Sequence, residues 1–225
     1  SSAASDVYKR QEYIATLPSA EREEKISSDL YSQFPVQTSL GDKDTVRVSE
    51  LKLPGSLELS EKQKEALERT VKEPVTLITG GPGTGKTTMV IALVRAFKAQ
   101  GRHVTLCAPT GRAAKRLEET PGLRGFEPTT IHLLLTKLKA RKHRGIDVLI
   151  IDEASMVDAD LMVRILDVLG EKNSLIMIGD ADQLPPVGPG QVFKDLLKMK
   201  GIPNARLLEN YRQSPASTII TAAIS

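Results

Sequence analysis

The stretch Thr79-Gly80-Gly81-Pro82-Gly83-Thr84-Gly85-Lys86-Thr87-Thr88 confines this chain to few folds. It fits the pattern G-x-x-x-x-G-K-[ST], with Gly80, Gly85, Lys86 and Thr87 at the fixed positions. Pro74 to Ile78 reads as a buried strand before it, and Met89 to Lys98 as a helix after it. Between a strand and a helix, glycines let the backbone curl until successive N–H groups face one anion. The helix adds the positive end of its dipole at the same place. Gly81, Pro82, Gly83, Thr84, Gly85, Lys86, Thr87 and Thr88 are therefore expected to cradle the phosphates of a nucleotide. Lys86 is expected to bridge the terminal phosphates, and the Thr87 hydroxyl to hold Mg²⁺.

Beyond about Leu57, apolar runs rich in branched residues alternate with helical patterns. Strands are expected at Val75–Thr79, Val104–Ala108, Val148–Ile151, Leu175–Ile178 and Arg206–Leu208. Ser60 and Gln63 form a capping box that opens a helix running to about Val71. This alternation implies an α/β fold, a doubly wound parallel sheet with helices on both faces and sites at the strands' carboxyl ends. Residues 12–56 read as a small, mostly helical and lightly packed N-terminal segment, the end of an upstream domain or a linker. A short strand is expected there at Thr45–Val48. Residues 1–11 match no element and are expected to be a non-native or disordered tail. The last residues look helical, so the chain is expected to be a fragment.

The strand ends carry the chemistry. Val148-Leu149-Ile150-Ile151 runs into Asp152-Glu153. A carboxylate at the tip of a buried strand beside a phosphate loop suits Mg²⁺, which selects Asp152. Glu153 is then placed to orient and deprotonate an attacking water. Leu175-Ile176-Met177-Ile178 leads to Gln183, whose amide can donate and accept at once and so read both a terminal phosphate and the water. Arg212, after the last strand, suits an in-chain arginine finger.

Bulk properties exclude several classes. The 225 residues carry 40% hydrophobic and 26% charged residues and a net charge of +3, ordinary for a globular chain. No apolar run nears the ~18 residues of a membrane span. The one cysteine, Cys107, excludes an internal disulfide and a multi-cysteine zinc site, and a reducing cytoplasm is expected. Two basic clusters suit a phosphate backbone: Arg112, Lys115 and Arg116, and the run Lys137, Lys139, Arg141, Lys142, His143, Arg144. A solvated surface accounts for either cluster equally well.

Taken in order, the chain resembles the first motor domain of RecD-like superfamily 1 (5′→3′) DNA helicases from about Leu57 to Ala223. The segments that carry the likeness are Leu59–Gln63, Gly80–Thr88, Ala108-Pro109-Thr110-Gly111-Arg112-Ala113-Ala114, Thr130-Ile131-His132, Asp152–Ser155, Gly179–Pro186 and Tyr211–Gln213. The resemblance implies a RecA-like P-loop NTPase domain over residues 57–225 that hydrolyses Mg-ATP and moves on single-stranded DNA. Gln63 would read the adenine edge and Tyr211 stack on the base. Lys86, Thr87, Asp152, Glu153, Gln183 and Arg212 match the hydrolytic set. Pro109, Thr110, Arg112, Thr130 and His132 fall in segments that touch DNA, although His132 fits a packed helix position as well. A second motor domain is missing from the chain, so the fragment alone is expected to be weakly active or inactive. Recombination or repair subunits are the further partners implied. The alternatives are a superfamily 1 RNA helicase and a nucleotide-dependent switch that does not hydrolyse; an oligomeric AAA+ ATPase fits less well, since its arginine finger comes from a neighbouring subunit.

Overall fold

The structure, a computed structural model, describes residues 19–33, 48–140, 145–170, 172–184, 190–199 and 201–208. Its centre is a sheet of six parallel strands: β1 (Val75–Gly80), β2 (Val104–Ala108), β3 (Thr129–Thr130), β4 (Val148–Ile151), β5 (Ser174–Gly179) and β6 (Asn204–Leu207). They lie side by side in the order β3-β2-β4-β5-β1-β6, with Ile151 opposite Met177, Thr79 opposite Gly179 and Cys107 opposite both Ile151 and Thr129. Because every pair is parallel, all carboxyl ends leave the sheet at one edge. The expected α/β class and parallel sheet are borne out.

Alternate side chains of the strands enter two cores. Leu149, Ile151, Leu175 and Met177 face α1 (Ser19–Gln33), α5 (Ile131–Lys139), α6 (Ala159–Leu166) and α7 (Val192–Lys198). Val148, Ile150, Ile176 and Ile178 face α2 (Glu61–Thr70), α3 (Lys86–Ala99) and α4 (Gly111–Glu119). Burial on both faces is why β1, β2, β4 and β5 read as largely apolar runs.

Capping sets where the helices begin. The Ser60–Gln63 box is present, with Ser60 N donating to Gln63 Oε1 at 3.0 Å and Gln63 N to Ser60 Oγ at 3.3 Å. Thr110 caps α4 and Thr130 caps α5, each hydroxyl accepting at 3.2 Å from the backbone N–H three residues on. Asp158 caps α6 from its Oδ1 at 2.8 Å. Each such bond satisfies one of the orphan donors of the first turn.

Two local expectations are corrected. Val48 starts a 3₁₀ turn (Val48–Glu50), not the end of a strand; it is buried against the α2–α3 side of the core. The helix of the N-terminal segment is not lightly packed. In α1, Ile26 and Leu30 are buried in the main core, and Arg22 pairs with Asp160 of α6 at 3.6 Å. The tail 1–11, the residues 45–47 and the end of the chain lie outside the described residues.

Candidate functional site

At the carboxyl edge of β1 the loop turns through two left-handed glycines, Gly83 (φ 76°) and Gly85 (φ 88°), conformations that a side chain would strain. Gly80 is needed for space: a Cβ there would overlap the Thr84 hydroxyl, which itself donates to Gly81 O at 2.8 Å. Lys86 opens α3 and curls back over the loop, its Nζ donating to Gly80 O at 2.6 Å and Gly81 O at 2.9 Å. An ammonium held over a ring of backbone dipoles marks where an anion's oxygens fit.

The loop faces a cavity of about 550 Å³ lined by Pro82, Gly83, Gly85, Lys86, Thr87, Thr88, Arg116, Asp152, Glu153, Asp180 and Gln183. Strand topology explains the gathering. Asp152 follows β4, Asp180 follows β5 and the loop follows β1, so all three leave the same edge. Asp152 is nearly buried. Burial raises its carboxyl above the ordinary value, the Glu153 charge adds to the rise, and Arg116 and Lys86 oppose it. Glu153 takes a left-handed backbone (φ 55°), unusual for a residue with a side chain. Arg116 of α4 donates to Glu153 Oε1 and lies 3.8 Å from Asp152 Oδ2; the Glu153 bond raises the Arg116 guanidinium further. Gln183 accepts from Ser155 Oγ at 2.9 Å, and Thr79 Oγ1 accepts from Ala181 N at 3.1 Å, tying the Gln183 turn to β1.

The donor set suits a magnesium-bound nucleotide. Among the described residues there is no group of three or more His, Cys, Asp or Glu able to hold a metal. A hard cation here would take one or two protein oxygens and complete its shell with phosphate and water, the usual arrangement of Mg²⁺ with phosphates. Thr87, Asp152 and Asp180 supply such oxygens on the cavity wall.

The structure thus gathers Pro82, Gly83, Gly85, Lys86, Thr87 and Thr88 with Asp152, Glu153 and Gln183, while Gly81 and Thr84 lie outside the cavity lining. It does not bring in Gln63, which is buried in the first turn of α2 and lies outside the cavity lining. Its Oε1 accepts from Ser60 N at 3.0 Å, and the side chain is buried. Tyr211 and Arg212 lie outside the described residues, as do Arg141 to Arg144. Pro109, Thr110 and Arg112 follow β2, and Thr130 ends β3, its direct neighbour. Two helix N-termini, of α4 and α5, therefore open side by side. His132 is exposed on the first turn of α5, not packed.

Sequence reasoning missed Asp180, Thr79, Ser155 and the place of Arg116. Asp180 carries the same signal that picked Asp152, a carboxylate at the tip of an apolar strand. Thr79 and Ser155 carry none. Arg116 read as one member of a surface cluster.

A family profile described as an AAA domain matches residues 58–225. The chain belongs to this AAA domain family. It is 37% identical over 171 residues to the ATP-dependent RecD2 DNA helicase of Deinococcus radiodurans, covering 73% of this chain and 23% of that one. It is 35% identical over 170 residues to the RecBCD enzyme subunit RecD of Mycolicibacterium smegmatis, covering 63% and 31%. The chain thus spans 23% and 31% of the length of these two relatives. A solved structure of two Pif1 helicases at forked duplex DNA superposes with a TM-score of 0.51 at 23% identity, over 71% of this chain and 46% of that one; this likeness concerns the fold alone. The resemblance to RecD-like superfamily 1 helicases is borne out. Among the described residues no helix is long and apolar enough to cross a membrane.

Proposed function

We propose that this AAA domain is the first motor domain of a RecD-like DNA helicase, binding and hydrolysing Mg-ATP to drive movement along single-stranded DNA and duplex unwinding. The observation that carries the reading is the single cavity shared by the phosphate loop, the Asp152-Glu153 pair and Gln183. Mg-ATP, when bound, supplies the phosphoryl bond whose cleavage drives the cycle. The loop N–H groups and the α3 N-terminus bind phosphate oxygens. Lys86 would turn from the loop carbonyls to the terminal phosphates, and Thr87 and Asp152 would hold the metal. Glu153 accepts the proton of the attacking water, and Gln183, steadied by Ser155, orients that water. Arg212 as finger, Tyr211 as base stack and Gln63 as adenine reader rest on the family likeness.

The track is assigned to the paired N-termini of α4 and α5. The Thr110 and Thr130 hydroxyls accept from their own helices, which leaves each O–H free to donate to a phosphate. Arg112 and His132 stand exposed beside them. Contacts of this kind hold a backbone without reading sequence. A second motor domain closing on the cavity, subunits of a recombination or repair assembly, and a cytoplasmic setting belong to the same proposal.

In the full-length protein, Glu153→Gln should retain ATP binding and lose about 10²–10⁴-fold in kcat. Unchanged hydrolysis removes Glu153 from this role. ATPase stimulation by RNA alone, and not by single-stranded DNA, sinks the DNA assignment.

A further inference from the structure

The geometry points to Arg116 as a positioning residue that holds Glu153 at rest until a single strand engages α4, an inference that rests on the function proposed above. Arg116 stands on the helix that begins at Thr110, yet it reaches back into the nucleotide cavity. There it donates to Glu153 Oε1 and lies 3.8 Å from Asp152 Oδ2. A guanidinium on that oxygen competes with water for the carboxylate and fixes its orientation. Lys86 is likewise turned onto the loop's own carbonyls. Lys86 and Glu153 thus both rest in contacts that have to be released for the roles proposed above.

An ordinary surface ion pair carries little weight, and Arg116 is 63% exposed. Its partners are not on the surface. Glu153 is 17% and Asp152 8% exposed, adjacent carboxylates whose mutual repulsion Arg116 relieves. The pair also joins two sites. Arg112 and Arg116 are four residues apart and share one face of α4. Arg112 is exposed at the assigned track, and Arg116 stands on Glu153. Thr110 and Arg116 are about 9 Å apart along the axis at the usual helical rise. The opposite face of α4 is anchored by Ala113, Ala114 and Leu117, two of them small. A nine-residue helix held so lightly can shift as one body, and any shift at its N-terminus moves the guanidinium at Glu153. A strand that binds the released arrangement more tightly shifts the population toward it.

The test is steady-state ATPase of the full-length protein with and without oligo(dT), for wild type, Arg116→Ala and Arg116→Lys. In Arg116→Ala, DNA-independent kcat should rise about tenfold, equal to about 1.4 kcal/mol. The ratio of DNA-stimulated to basal rate should fall toward one, and the KM for ATP should stay within about twofold. Arg116→Lys keeps the charge but not the planar fork and should fall between the two. An unchanged stimulation ratio in Arg116→Ala overturns the inference while the proposed function stands. So does a KM rise with basal and stimulated rates falling in equal proportion, which would make Arg116 a phosphate ligand. Binding of a fluorescent ATP analogue checks that each variant is folded. Absence of DNA stimulation in the wild type overturns the proposed function and this inference with it.

Discussion

Gly179 ends β5 directly beneath the turn that carries Glu153, and its lack of a side chain is a packing requirement. A Cβ there would lie 2.8 Å from Ser155 N, 3.1 Å from Phe193 Cε1 and 3.3 Å from Ala154 N. Two of these neighbours are backbone atoms in the 3₁₀ turn Ala154–Met156, so no rotamer change relieves them. Gly179→Ala must lift the turn or push β5 against its partners. Overpacking of this sort costs about 1–3 kcal/mol. Restricting the unfolded chain returns about 0.4–1 kcal/mol, since Gly179 is not left-handed. At the central values the net is a loss of about 1.3 kcal/mol. With a urea m-value of about 2 kcal/mol/M, the midpoint falls by about 0.65 M. Gly111→Ala is the control: nothing lies within 4 Å of its added Cβ, and its midpoint should hold or rise. A Gly179→Ala protein as stable as wild type would refute the claim that the turn rests on β5.

Asp152→Asn, measured without metal or nucleotide, should be more stable than wild type at neutral pH. Burial raises the folded carboxyl above its unfolded value, so the charged form costs stability in full above the raised value. The advantage should vanish as pH falls below the ordinary carboxylate range; a less stable variant at pH 7 contradicts this. Ile26→Ala should cost about 2–5 kcal/mol in urea unfolding, and a loss under about 0.5 kcal/mol would remove α1 from the cooperative core. Cys107 is fully buried, and burial alone pushes its thiol well above the ordinary range. Iodoacetamide at pH 8 should label it only in denaturant, and labelling of the native protein would show that β2 opens.

Most of the sheet was legible because β1, β2, β4 and β5 pack on both faces. Double burial forces branched apolar runs such as Val148–Ile151, and those stand out from their neighbours. β3 was not legible. Thr129 and Thr130 become strand only by pairing with Cys107 and Ala108, a contact that no local pattern encodes. The Ser60–Gln63 box could be read because both partners lie within one turn. The Arg116–Glu153 contact joins residues 37 apart, and a basic cluster on a helix gives no sign of which member turns inward. The sites legible at strand ends share a cause. An ionisable residue right after an apolar run must leave the core, and in a parallel sheet it leaves at the common edge. Ile26 and Leu30 escaped notice because the charged residues around them hid a narrow apolar stripe.

The strand order has one more effect. With β5 lying between β1 and β4, the phosphate loop and Asp152 rise from tips two strand spacings apart, about 9.5 Å. Direct neighbours would stand about 4.8 Å apart. β5 acts as a ruler between anion cradle and metal ligand. Any slip of β5 would shift that spacing together with Asp180 and the Gln183 turn that follow the strand.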